Sequence, residues 1–311
     1  MLTIEKVNTA ISRIKYFAPV DGDKYYVCYS GGKDSDCIRI LSALSGVPYE
    51  IHYNLTSVDA PETVHYIKSI PNIIIDKPVY KDGSPKTIWN LIPKKKLPPT
   101  RLMRYCCSEL KESGGKGRLK MTGIRWAESY NRRVNGDVIR IYGKAKNTQR
   151  LIEESGIDLS LSSQGGVLMH YDNETARDKV DLVHHCYVDR SVTVNPIVDW
   201  EDSDVWDFLH YYNCPANPLY QCGENRIGCV GCPLSGGKTM ERDFYHYPKF
   251  RANYIRAFDR MLKARALAGL DNKMNWQTGE DVLHWWVQDD YIPGQLSFFD
   301  SEVVDILSDL R

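Results

Sequence analysis

The sequence lacks any long apolar run: no stretch of its 311 residues approaches the roughly 20 apolar positions that a membrane span needs. Its first sixteen residues include Glu5, Lys6, Arg13 and Lys15 and have no apolar centre of the secretory-leader kind. A soluble, cytoplasmic chain without a membrane partner is therefore expected. Net charge is also lacking, because 40 Lys+Arg balance 40 Asp+Glu. That balance removes a global drive toward nucleic acid or an anionic membrane and leaves only local basic patches to consider. There is no internal repeat and no low-complexity tract. Cysteine is absent after residue 232, although nine occur up to and including that position.

What is there has ordinary globular proportions, 42% hydrophobic and 26% charged, which argues against disorder. The length suits one large or two modest domains. Leu2, Ile4, Val7, Ile11 and Ile14 recur at helical spacing and predict an opening amphipathic helix. Short apolar runs at 24–29, 49–55, 72–76 and 120–124 read as strands separated by helices or loops. That alternation predicts an α/β fold, a mostly parallel sheet covered by helices on both faces. Residues 77–104 are Pro- and Lys-rich and read as a surface excursion. Residues 131–190 carry weak periodicity and read as an insertion or lid. Helical pattern returns over 250–270 and 279–287, so 236–311 is expected to be a helical C-terminal extension to a domain spanning 1–235.

Ser30-Gly31-Gly32-Lys33-Asp34-Ser35 follows a strand and opens a helix. Glycines there let backbone N–H groups approach phosphate oxygens, the helix N-terminus supplies partial positive charge, and the hydroxyls add donors. Lys33 adds a point charge, and Asp34 could help hold Mg²⁺. The Walker spacing is missing, here and in the mimic Leu234-Ser-Gly-Gly-Lys-Thr239. Cys229-Val-Gly-Cys232 spaces two thiolates to meet one metal centre, and two further ligands are needed. Arg125, Arg132 and Arg133 could clamp an anion bidentately, or pair on the surface, with Glu128 as mate of Arg125. Asp59 could serve a nucleotide or a metal, or cap a helix at Pro61-Glu62. Lys94–Lys96 with Arg101 and Arg104 form either a solvated loop or a contact for a polyanionic partner.

Tyr29-Ser-Gly-Gly-Lys-Asp-Ser35 resembles the PP-loop of the adenine-nucleotide α-hydrolase superfamily, which includes N-type ATP pyrophosphatases and sulfonucleotide reductases. Further segments, in the same order, resemble the phosphoadenosine-phosphosulfate (PAPS) reductase-like branch. They are Asp59-Ala-Pro-Glu-Thr63, Cys106-Cys107-Ser-Glu-Leu-Lys111, Thr122-Gly-Ile-Arg-Trp-Ala-Glu-Ser129, Asn195-Pro-Ile-Val-Asp-Trp200 with Asp204-Val-Trp206, and Arg226-Ile-Gly-Cys-Val-Gly-Cys-Pro233.

The resemblance implies a Rossmann-like sheet and an adenine nucleotide, ATP or another, held by Ser30, Gly31, Gly32, Lys33, Asp34 and Ser35 with Asp59, Arg125 and Arg132. It implies catalytic roles for Lys33, Asp34 and Arg125. It joins Cys106 and Cys107 to Cys229 and Cys232 as ligands of a [4Fe–4S] cluster, zinc being the alternative and Cys222 a rival ligand. The branch's thiol-dependent reductases use a nucleophilic Cys in a C-terminal tail. The lack of cysteine beyond 232 therefore turns the expectation toward ATP α–β cleavage coupled to sulfur transfer, as in DndC-like proteins. The sulfur acceptor or donor would be a nucleic acid or a protein. Reduction of PAPS or adenosine phosphosulfate with a displaced thiol is one alternative; a non-catalytic nucleotide- or nucleic-acid-binding module with structural zinc is another.

Overall fold

The computed structural model describes residues 2–19, 22–128, 139–141, 159–161, 167–169, 192–270 and 275–288. In chain order the elements are α1 (Ile4–Tyr16), β1 (Tyr25–Cys28), α2 (Lys33–Ser45), β2 (Tyr49–Asn54), α3 (Pro61–Lys68), β3 (Ile73–Asp76) and α4 (Ile88–Lys95). A π-helical turn (Cys107–Lys111) precedes β4 (Leu119–Met121), β5 (Ile139–Ile141), β6 (Leu159–Leu161), β7 (Val167–Met169) and β8 (Val192–Val194). Four helices close the described chain: α5 (Asp202–Tyr211), α6 (Gly237–His246), α7 (Pro248–Leu267) and α8 (Gly279–Val287). The chain divides into two compact units, 1–54 with 61–76 and 113–227, and 55–60 with 77–112 and 228–311.

The first unit is built on one sheet of order β3-β2-β1-β4-β8-β5-β7-β6. Its first five strands are mutually parallel, and β5, β7 and β6 continue antiparallel. This is the α/β, Rossmann-like architecture with a mostly parallel sheet. β1 lies between β2 and β4, so the chain proceeds to one side of β1 through β2 and β3 and later to the other through β4 and β8. Open α/β sheets bind ligands outside the carboxyl ends of the strands at such a reversal. The glycine loop begins two residues after β1 ends there.

Tyr25 and Val27 of β1 alternate onto the face that packs against Ile14 of α1, Cys37, Ile38 and Leu41 of α2, and Val205 and Phe208 of α5. Each is essentially buried. Burial of one such apolar side chain is worth about 1.5–3 kcal/mol, which fixes α2 and hence the loop that starts it. The expected opening helix appears as α1, capped by Thr3, whose Oγ1 accepts from the Lys6 amide at 3.2 Å.

The second unit differs from expectation. Residues 77–104 contain α4, whose Ile88, Leu91 and Ile92 are at most 1% exposed and pack with Tyr254, Phe258 and Met261 of α7 and Trp286 of α8. The i, i+3, i+4 apolar stripe outweighs Pro93, which sits inside the helix. Proline has no N–H to give the carbonyl four residues back. That carbonyl, on Trp89, is satisfied instead by Arg260 Nη2 at 2.8 Å. The C-terminal helices therefore share one core with an earlier segment, and the division differs from a single cut at 235/236. Of the region 131–190, only the three short strands β5, β6 and β7 fall within the described residues.

Candidate nucleotide cleft and cysteine group

In the first unit, Gly31 adopts φ +74°, and a Cβ there would stand 3.1 Å from Ile67 and 3.2 Å from Thr63 of α3. Only glycine meets both the conformation and the close approach. Ser35 Oγ donates to the Gly32 carbonyl at 2.7 Å and accepts from the Gly32 amide at 3.1 Å, which folds the loop back on the first turn of α2. The Lys33 amide donates to Tyr220 Oη at 2.9 Å. Asn217, fully buried, donates from Nδ2 to the Gly31 carbonyl and to Thr63 Oγ1, both at 3.1 Å. Backbone donors at a helix start are anion sites, and here one of them is held by a phenol oxygen.

The charged groups form an alternating chain. Lys33 Nζ lies 3.4 Å from Asp202 Oδ1, and Arg125 Nη2 lies 2.6 Å from the same oxygen. Arg125 Nε also donates to Asp34 Oδ1 at 2.6 Å, and Nη1 to the Trp200 carbonyl at 3.1 Å. Arg125 is 2% exposed, so its guanidinium ties the loop helix to the start of α5. Burial raises the Asp202 carboxyl, but the Arg125 hydrogen bond and the Lys33 charge outweigh it and hold its pKa below the ordinary value. Beneath the loop, the buried Asp36 carboxylate accepts from Tyr29 Oη at 2.7 Å and Tyr66 Oη at 2.8 Å. Burial raises its pKa, and both phenols oppose that rise.

A cleft of about 580 Å³ opens at this point, with Lys33, Asp202, Trp206, His210, Cys214 and Tyr220 on its walls. The Lys33 ammonium stands 5.8 Å from the Trp206 ring and 5.9 Å from the Tyr220 ring. Those rings meet edge to face at 5.1 Å. The sequence reading named the loop, Lys33, Asp34 and Arg125. It gave no role to Asp202, Asn217, Trp206 or Tyr220, although Trp206 stands in one of the quoted motifs. Arg132 lies outside the described residues.

The second unit gathers Cys106, Cys107, Cys229 and Cys232. Cys106 and Cys107 stand at the start of the π-helical turn, and Cys229 pairs backbone to backbone with Asp59 in an isolated antiparallel bridge. The Cys106 thiol is pushed up, first by its hydrogen bond with Cys107, then by burial and by the charges of Cys107, Cys229 and Cys232. Cys107 is lowered to about 6, first by that same hydrogen bond and also by Arg104 and Lys111, against burial. The charge of Cys229 raises the Lys111 ammonium. Asp59 Oδ2 accepts from the Thr56 amide at 2.8 Å and turns this segment. Cys222 is exposed and belongs to the first unit.

A single zinc ion needs thiolates about 2.3 Å from the metal. Among the described residues no three His, Cys, Asp or Glu side chains converge to hold a metal ion. The four thiols share this unit with the cations Arg104 and Lys111.

Residues 24–235 match the phosphoadenosine phosphosulfate reductase domain. The chain belongs to that family. Two uncharacterized proteins of Methanocaldococcus jannaschii are similar, at 22% identity over 81% of this chain and 29% over 72%. The chain spans only 52% and 39% of their lengths. The adenosine 5'-phosphosulfate reductase of Allochromatium vinosum is 41% identical over 39 residues, 12% of this chain and 15% of that protein. Among solved structures, the PAPS reductase of Candida auris in a phosphate complex aligns at TM-score 0.40 and 15% identity, covering 74% of this chain and 96% of that one. The Candida glabrata FMN adenylyltransferase with FAD and inorganic pyrophosphate aligns at 0.39 and 14%, covering 73% and 63%. No helix among the described residues is long and apolar enough to cross a membrane.

Proposed function

We propose that this member of the PAPS reductase family binds an adenine nucleotide at Ser30–Ser35 and cleaves ATP between the α- and β-phosphates to activate a substrate for sulfur transfer. The observation that carries this reading is the coincidence of three features at the end of β1. They are the glycine loop at a helix start, the buried Lys33 beside it, and a cleft with aromatic faces at Trp206 and Tyr220. An acceptor oxygen attacks the α-phosphorus, the bond to the β-phosphate bridge oxygen breaks, and pyrophosphate leaves with that electron pair. AMP is later displaced from the acceptor as sulfur is delivered. Positioning supplies most of the rate, because the loop amides and Lys33 neutralise charge on the leaving pyrophosphate. Asp34 would share Mg²⁺ with the phosphate oxygens. Arg125 would hold Asp34 in place.

In the second unit Cys106, Cys107, Cys229 and Cys232 would hold a [4Fe–4S] cluster, with Lys111 and Arg104 offsetting thiolate charge. Such a group supplies electrons or sulfide when bound. Zinc is the alternative occupant.

The test is product analysis with Mg²⁺ and labelled ATP for the whole chain and for Lys33→Ala. AMP and pyrophosphate, lost in the variant, are expected; ADP and phosphate as the sole products would overturn the reading. A second reading, sulfonucleotide reduction, is favoured by the family match itself. It predicts sulfite from PAPS or adenosine phosphosulfate with thioredoxin, and an absence of sulfite from both removes it.

A further inference from the structure

The neutral total of the chain conceals a segregation of charge within the second unit. From Gly83 to Ser108 the sequence holds six Lys or Arg and no Asp or Glu. α7 holds six more, with Asp259 as its single acid. The two helices pack on each other through Ile88, Leu91 and Ile92 of α4 and Tyr254, Phe258 and Met261 of α7.

On α7 the apolar positions face that core, and Lys249, Arg256, Arg260 and Lys263 repeat at spacings of seven, four and three. Residues so spaced lie on one side of a helix. All four are exposed. Fourteen residues at about 1.5 Å each make a row about 21 Å long. Arg251 lies off this side and pairs with Glu280, whereas none of the four forms an ion pair with a described residue. Arg260 is held in place by its bond to the Trp89 carbonyl that Pro93 leaves without a helical partner.

We propose that this side of α7 binds the phosphate backbone of a nucleic acid. A row of exposed cations releases counterions when it meets a polyphosphate, and that release is the main source of sequence-independent affinity. A duplex presents a phosphate about every 3.4 Å of axis on each strand, so a row of this length faces about six on one strand. A membrane surface is disfavoured, because a helix that lies on lipid turns its apolar side outward. The apolar side of α7 is occupied by α4 and α8. The row makes no provision for reading base edges, so binding is indifferent to sequence. This inference rests on the second unit and is independent of the chemistry assigned to the glycine loop.

The test uses the whole chain and labelled 30-nucleotide single-stranded and duplex probes of mixed sequence, followed by fluorescence anisotropy from 50 to 200 mM salt. Affinity is expected to fall steeply with salt. The variant K249Q/R256Q/K263Q, which keeps Arg260, should flatten the duplex salt slope by about 2.7, at about 0.9 per lost phosphate contact. It should also bind at least about tenfold more weakly at 100 mM salt. The control K15Q/K68Q should match the parent. ATP turnover is measured in parallel and should not change, which separates failure here from failure of the proposed activity. Should the triple variant fail to fold, K249Q and K263Q singly carry the test at about 0.9 each. Salt-independent binding, an unchanged slope in the variants, or equal affinity for phosphatidylserine vesicles or polyglutamate would each overturn the proposal.

Discussion

Arg125 is the residue on which the geometry makes the sharpest demand. Its guanidinium serves Asp34, Asp202 and the Trp200 carbonyl from a position 2% exposed. Arg125→Met keeps much of the aliphatic volume and removes all three bonds. The bonds to the carbonyl and to Asp34 are charge-assisted and worth about 1.5–3 kcal/mol each. The Asp202 side chain is 66% exposed, so its pair adds at most about 1 kcal/mol after solvent screening. The expected loss is about 3–7 kcal/mol, equivalent to about 6–28 °C in melting temperature at 2–4 °C per kcal/mol. Asp34→Asn should cost less, and Asp202→Asn least. The assay is thermal unfolding followed by circular dichroism, with and without saturating ATP and Mg²⁺. If Arg125→Met melts within about 2 °C of the parent and loses only the ATP-induced shift, Arg125 is an anion ligand, and the brace described here is refuted.

Tyr220→Phe frees the Lys33 amide for a phosphate oxygen, and pyrophosphate should bind about 2- to 10-fold tighter, the worth of one neutral hydrogen bond. Unchanged or weaker binding by calorimetry would show that the phenol does not compete for the site. Because the Asp202 pKa lies below its ordinary value, its contribution is present above about pH 3.9 and is lost as pH falls through the folded value. The stability gap between the parent and Asp202→Asn should therefore close on acidification. A gap that widens toward low pH contradicts the assigned sign. Gly231→Ala places a Cβ 2.6 Å from Phe244 at φ +69° and should cost about 2–4 kcal/mol in urea unfolding, from overpacking plus a strained backbone. Gly228→Ala, where a Cβ meets nothing within 4 Å, should be near neutral. Equal midpoints for the two would discredit the packing argument.

The sequence makes legible those features whose cause is local. Strand, glycine loop and helix follow one another within residues 25–45, and their composition announces each. Gly31 is required by a conformation and a contact that few residues tolerate. The opening helix, the alternating strands and α7 follow from periodicity alone. The cleft walls depend on the sheet order, which brings α5 beside α2 although more than 150 residues separate them. Tyr220 and Asp202 have no local signature for that reason. Glu128 was the natural mate for Arg125 by spacing, yet the guanidinium reaches Asp34 and Asp202, which converge from two other helices. α4 was concealed by its own lysines and Pro93. Its apolar stripe is only three residues, and the partner that completes the Trp89 carbonyl lies 171 positions away.

The shared core of α4 with α7 and α8 also sets an order of events during synthesis. Ile88, Leu91 and Ile92 leave the ribosome long before the helices that cover them. From residue 112 to residue 287 is 175 residues, about 9–35 s of elongation at 5–20 residues per second. Through that interval an apolar helix flanked by lysines has only Val58, Tyr105 and Leu110 of its core beside it and lacks α7 and α8. The lysines keep the waiting segment soluble and self-repelling, which blunts its tendency to associate with other nascent chains. A stop codon placed after residue 235 would make the wait permanent, leaving the cysteine pairs on a segment without the helices that complete its core.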